Sequence, residues 1–288
     1  MDILPQLILN SLIAGSIYAI LALGFNLIFS TVNFFDLSYG AVAVIGAYAV
    51  FYFSKLLGWP LFVAVPLGVL ISGTIGFLLY TSVYRRLRMR RSSNTVLLVA
   101  SLGVLTALQA LLAIFFSSQF QTLSATSSGE RLFSLFSGSI TETQVIILLT
   151  AVAVLLGLAF VLKLTLFGKA VKAVGDDEEV AKIVGINTDK IIGKVFFIGS
   201  AIAGLAAILV GFDTGIEPIM GLPLLLKGVI ASIVGGIGNV YGGVAGAFLL
   251  GFVENFGIWK ISGEWKDAIA FAVLILFLVF RPQGIFKK

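Results

Sequence analysis

The sequence predicts an all-α, polytopic membrane fold of about eight to nine transmembrane helices, and three observations carry that prediction. Hydrophobic residues make up 59% of the 288 positions against 11% charged, and the mean hydropathy is +1.11. Several apolar runs reach the roughly 18 to 20 residues that a helix needs to cross about 30 Å of hydrocarbon. The charges are gathered into a few short intervals, the longest from Lys163 to Lys194. The whole chain, 1–288, reads as one transmembrane domain. Its net charge of +5 reflects which loops are basic rather than a nucleic-acid footprint. With no cysteine and no histidine, thiol chemistry, the usual zinc sites and histidine bases are excluded.

The first span is expected at about 7–29, with Gly15 and Gly24 for close packing and Asn26 as a polar insert. It has no basic leader and no clear cleavage site, so it reads as a retained span. A polar link holding Asn33 and Asp36 leads to span 2, about 37–57, where Asp36 is expected as N-cap. Span 3 is expected at about 60–80, with Pro60 near its first turn. The basic run Arg85 to Arg91 precedes span 4, about 95–116. Between Ser117 and Thr143 the chain is rich in serine and threonine; Leu132, Phe133, Leu135 and Phe136 read there as a short helix on the membrane surface. Span 5 is expected at about 144–162.

Lys163 to Lys194 then holds six lysines and five acids, too many for a bilayer interior. Gly175 is expected to break the preceding helix. Asp176 then serves as N-cap, with Glu179 at the reciprocal position of a capping box. Val180, Ile183 and Val184 recur at i, i+3 and i+4 and make one apolar edge. Gly185 is the expected left-handed C-terminal cap. This predicts a two-turn amphipathic helix held between two spans. By spacing alone, a solvated loop with a helical turn and a docking element for a soluble partner both fit.

Span 6 is expected at about 195–212, span 7 at 219–235, span 8 at 238–256 and span 9 at 267–280. The Gly235–Asn239 break separates spans 7 and 8, which are short enough either to cross a thinned bilayer or to form a re-entrant pair. The 85–91 run, the 163–194 stretch and the C-terminus hold 14 of the 19 lysines and arginines. Placing them on the cytoplasmic side puts the N-terminus outside and the C-terminus inside. YGAVAVIGA at 39–47 is echoed by YGGVAGA at 241–247, each after a polar break, as in transporters with repeated broken helices. Lys227 and Glu254 are intramembrane charges that fall toward the outer side, where pairing would lower their cost. No nucleophile–base set is visible, and GGIGN lacks the lysine and Ser/Thr of a phosphate loop, so the chain is expected not to be an enzyme.

Gly168, Lys169, Ala170, Ala173 and Val174, an acidic turn, then Ala181, Gly185, Ile186 and Asn187 form a pattern that resembles the coupling loop of ABC importer permeases. The stretches 23–48, 225–254 and 281–286 (RPQGIF) resemble the branched-chain amino-acid permease family, H-type subunit, in the right order along nearly the whole chain. Tyr39 stands where that family usually has histidine, which leaves urea or short amides as alternative solutes. The resemblance implies an inner-membrane importer working by alternating access. It implies a paralogous permease subunit, two cytosolic ATP-binding subunits and an extracytoplasmic solute-binding protein as partners, with membrane lipid around the chain and no nucleic acid. ATP would be used by the partners, and this chain would bind no cofactor. The ATPase-coupling residues would be Gly168, Ala173, Asp176, Glu179, Val180, Ala181, Ile183, Gly185 and Ile186. Candidates for the translocation path are Asn26, Asn33, Ser38, Tyr39, Gly40, Lys227, Gly235, Gly236, Gly238, Asn239 and Glu254. The competing class is a self-sufficient secondary transporter or channel, disfavoured because the spans lack a chain of acids or histidines.

Overall fold

The computed structural model describes residues 3–124, 132–135 and 138–286. Helix α1, Ile3–Val32, is apolar on all sides and is enclosed almost throughout from Gly15 to Ile28. That pattern marks a helix surrounded by protein rather than lipid. Around it stand α2, Ser38–Phe51, which continues as a π-helical turn over Tyr52–Leu56, and α9, Thr188–Asp213. Helices α10, Gly221–Gly235, and α11, Val240–Gly257, complete this inner group. Helix α3, Leu61–Leu79, packs on α2 and α9 and runs through a π-helical turn into α4, Arg85–Met89. Helices α5, Asn94–Phe116, and α6, Glu142–Leu164, lie outside this group and expose long apolar faces. Short helices α7, Leu166–Asp176, and α8, Glu178–Ile183, lie between α6 and α9, and α12, Lys266–Phe280, ends the helical series.

Among the described residues, seven stretches are long and apolar enough to cross a membrane: 3–32, 38–56, 61–89, 94–116, 142–164, 188–213 and 240–260. The nine expected spans thus become seven full-length ones and two helices of 15 residues, α10 and α12. At 1.5 Å per residue, 15 residues reach about 22 Å, short of the ~30 Å hydrocarbon layer. Two boundaries also move. Arg85, Arg86 and Arg88 are helical rather than in a loop, and α9 begins seven residues before the expected Val195. Hydropathy marks where the bilayer ends, whereas backbone hydrogen bonding carries the helix on into water.

The expected surface helix at 132–136 is instead a strand. β1, Leu132–Leu135, pairs antiparallel with β2, Gly138–Thr141, in register Leu132 to Thr141. Serines and a threonine alternate through these segments, which suits a hairpin better than an amphipathic turn; Phe136 lies outside the described residues. Thr141 and Gln144 then form the capping box that starts α6. On the same end of the molecule, Gln121 and Ile216 exchange backbone hydrogen bonds of 2.8 and 3.0 Å.

Helix contacts in the inner group are made backbone to backbone at glycines. A Cβ on Gly24 would lie 2.7 Å from the Gly199 carbonyl oxygen, and one on Gly46 would lie 3.0 Å from Gly204 Cα. Gly251 is packed as closely on the Gly15 backbone, and Gly242 on the Gly235 carbonyl. Without a hydrophobic drive between helices in lipid, such small-residue contacts let backbones approach and gain dispersion energy.

Candidate functional site

The charged stretch is built from the side chains that stop one helix and start the next. Thr165 ends α6 and caps α7, its hydroxyl accepting from Gly168 N at 3.0 Å. Gly168 sits against the Leu162 backbone, so the chain can turn sharply between α6 and α7. Gly175 does not break α7. The helix runs through it to Asp176, because Gly175 lets α7 approach the end of α1: an added Cβ would lie 2.5 Å from the Ser30 carbonyl oxygen. The N-cap of α8 is consequently Asp177, not Asp176. Asp177 is extended, and its carboxylate accepts from Glu179 N at 2.8 Å and Val180 N at 3.0 Å. With the cap shifted by one residue, Glu179 no longer stands at the capping-box position.

Gly185 ends α8 at φ +88, where its N–H donates to Lys182 O and Ile186 N–H donates to Ala181 O, both at 3.0 Å. These two bonds are the Schellman arrangement. Val180, Ile183 and Val184 are 53%, 83% and 69% exposed, while Ala181 is fully enclosed. The apolar edge therefore faces outward, and Ala181, expected near it, points into the protein. Ala173 and Ile186 pack at the margin of the core, and Gly168 is enclosed.

Two ion pairs, not foreseen in the sequence, tie this stretch to the basic run. Glu178 binds Arg88, accepts from Lys182 Nζ at 2.8 Å and from Thr188 Oγ1 at 3.2 Å. Arg85 Nε lies 3.1 Å from Asp189 Oδ2, and Tyr80 donates to Asp189 Oδ1. Burial raises the Glu178 carboxyl, but Lys182 and Arg88 outweigh it and hold the group below the usual carboxylate range. A lowered carboxyl pKa contributes stability that is present above the unfolded value and is lost as pH falls through the folded one. Amide-exchange protection over 177–186, corrected for intrinsic rates, should accordingly fall on acidification below the ordinary carboxylate range. In Glu178→Gln it should be lower at neutral pH and fall less steeply across that window, the Asp177 cap remaining; an unchanged profile in the variant would refute the role of Glu178.

The second constellation is the α10–α11 pair. Gly236 and Gly238 adopt φ of +115 and +79, and Asn239 caps α11 by accepting from Tyr241 N and Gly242 N. Asn26 of α1 clasps this break: its Oδ1 accepts from Gly238 N at 3.1 Å and its Nδ2 donates to Asn239 O at 3.4 Å. The C-terminal segment closes the other side, with Ile285 N–H donating to Val234 O and Phe286 N–H to Gly235 O.

At the far end of the same pair, Lys227 Nζ lies 2.5 Å from Glu254 Oε1 and 2.9 Å from Asp267 Oδ1. Tyr18 donates to Glu254 Oε2 at 2.7 Å. Glu254 is wholly enclosed. A lysine between two acids is the arrangement that makes buried charge tolerable.

The remaining path candidates are dispersed. Asn33 is exposed at φ +53 and its carbonyl accepts from Asn94. Tyr39 is enclosed and donates to the Leu21 carbonyl at 2.9 Å. Gly40 packs on the Gly221 backbone. The residue before α2 is Leu37 rather than the expected cap Asp36, whose carboxylate accepts from Ser38 N, Ser38 Oγ and Tyr84. The 39–47 and 241–247 echo marks two helix starts of opposite surroundings, Tyr39 enclosed and Tyr241 45% exposed.

A bundle of apolar helices carrying a charged helical excursion and a glycine-broken helix pair has the architecture of a membrane permease. The chain belongs to the family described as the permease component of the branched-chain amino acid transport system, whose family model matches residues 7–278. It is 30% identical to the high-affinity branched-chain amino acid transport system permease protein BraD of Pseudomonas aeruginosa, covering 98% of this chain and 95% of that one. Identity to the corresponding permease LivH of Escherichia coli is also 30%, with the same coverage. The solved structure of PsaBC from Streptococcus pneumoniae in complex with Fab shares the fold at a TM-score of 0.52 and 12% identity, over 99% of this chain and 94% of that chain.

Proposed function

We propose that this chain is the membrane-spanning subunit of an ATP-driven importer of branched-chain amino acids. Two cytosolic ATP-binding subunits would drive it, a paralogous permease would complete the pathway, and an extracytoplasmic binding protein would deliver the solute. The carrying observation is the outward apolar edge of Val180, Ile183 and Val184 on a helix pinned at both ends. A six-residue helix is too short to persist alone. Here caps and ion pairs hold it, leaving its apolar edge for a partner to cover. In this reading the basic segments face the cytoplasm and the N-terminus lies outside. Closure of the ATPases would move α7 and α8 and, through Arg88 and Asp189, the ends of α4 and α9. The relatives' names support branched-chain amino acids as solute. Tyr39 does not argue for urea or amides instead, because its hydroxyl is engaged by the Leu21 carbonyl.

Ile183→Glu tests the reading. Ile183 is 83% exposed, so the change leaves the fold intact, yet it places a charge in the docking edge. Loss of a central interface contact of about 2 kcal/mol or more corresponds to at least tenfold weaker association. Co-purification with the cognate ATPase and ATP-driven leucine uptake should fall together; equal ATPase binding by variant and wild type would refute the docking role.

A further inference from the structure

Beside the α10–α11 break lies a cavity of about 250 Å³, lined in part by the path candidates Gly238 and Asn239 and by Asp176. One wall is α7, the other is the chain from Gly238 to Tyr241, and Leu27 and Ser30 of α1 close it. Lys163, Lys172 and Asp176 bring two positive groups and one negative group to it, with Lys163 Nζ lying 4.9 Å over the Tyr241 ring. Leu162, Val171 and Val240 supply branched apolar surface between them. At about 30 Å³ per water the volume equals that of roughly eight waters, the bulk of an amino acid with about nine heavy atoms.

We propose that this cavity binds a zwitterionic, branched-chain amino acid from the cytoplasm and that its occupation slows import. The proposal rests on the functional reading above. Mixed charge within apolar walls suits a molecule with a carboxylate, an ammonium and an aliphatic side chain. The lysines meet the carboxylate, Asp176 the ammonium, and the apolar wall the side chain. Regulation follows from position. The cavity is bounded by the helix that answers the ATPase and by the break at the end of α10. Gly175 against Ser30 fixes α7 on α1 at its edge. A ligand filling the gap opposes any movement that narrows it, so accumulated product acts back on the transporter.

The test uses the full complex with its ATPases and binding protein in vesicles, with L-leucine as probe. Unlabelled leucine preloaded on the cytoplasmic face should lower ATP hydrolysis and the uptake of labelled leucine from the opposite face several-fold. Lys172→Met should relieve that inhibition while leaving initial uptake into leucine-free vesicles unchanged. 4-Methylpentanoate and isopentylamine, which each carry one of the two charges, should not inhibit. Equal inhibition of wild type and Lys172→Met, or equal inhibition by 4-methylpentanoate, overturns the proposal. If leucine is not taken up into empty vesicles, the importer reading itself fails. Should Lys172→Met assemble poorly, amide exchange on the wild-type complex decides: leucine without ATP should slow exchange in 168–176 and 236–242, and no change in either segment overturns the site.

Discussion

Gly236→Leu should abolish uptake while the protein is still made and inserted. Gly236 sits at φ +115, and a Cβ there would run into the Phe286 carbonyl. A side chain in the left-handed region costs about 1–2 kcal/mol on its own. Here it must also expel the C-terminal segment, which frees the Val234 and Gly235 carbonyls that Ile285 and Phe286 now satisfy. Gly238→Leu is the control. Its φ is +79, but nothing lies within 4 Å of an added Cβ, so it suffers the backbone strain alone. Initial uptake rates and surface-accessible protein, measured together, should show total loss for Gly236→Leu and a partial one for Gly238→Leu. Equal behaviour of the two would mean that the contact with residues 284–286 has no role.

Lys227→Met should be the most destabilising single change in the α10–α11 pair. It removes the cation 2.5 Å from Glu254, which is enclosed, and leaves that carboxylate with Tyr18 and a lysine, Lys266, at 3.9 Å. Orphaning one member of a buried pair costs about 3–5 kcal/mol, whereas replacing both members by neutral groups costs far less. Lys227→Met combined with Glu254→Gln should therefore recover most of the loss in yield and in thermal midpoint. A double variant as unstable as the single one would show that the two residues do not act as a pair.

The long apolar helices, the Gly235–Asn239 break and the left-handed Gly185 were legible in the sequence, because each depends on local composition or on a conformation that favours glycine. The cap of α8 was not. In the run Asp176–Asp177 either residue can cap, and the choice is made by how far Gly175 lets α7 advance along α1. Spacing likewise revealed the edge of Val180, Ile183 and Val184, but not that Ala181 turns inward, since a six-residue helix has no inner face until it is docked. The ties of Glu178 to Arg88 and Asp189 to Arg85 join residues about a hundred positions apart, which no local pattern encodes. The pairing of Lys227 with Glu254 was closer to hand, because two opposite charges in adjoining apolar runs have few other solutions. Among the path candidates, Asn26, Gly238 and Asn239 come together, while Asn33 and Tyr39 do not join them.

The glycine crossings of α1, α2, α9 and α11 have a mechanical consequence. Interlocked side chains resist displacement because each must leave its hole before the next can enter. Gly24 on Gly199, Gly46 on Gly204 and Gly15 on Gly251 present no such teeth. Along these rails one rod can slip past its neighbour with little rotamer change and little loss of contact. Such crossings suit shear better than rotation, and because a Cβ at Gly24, Gly199 or Gly251 would lie within 3 Å of a neighbouring atom, even a methyl group there would force the helices apart.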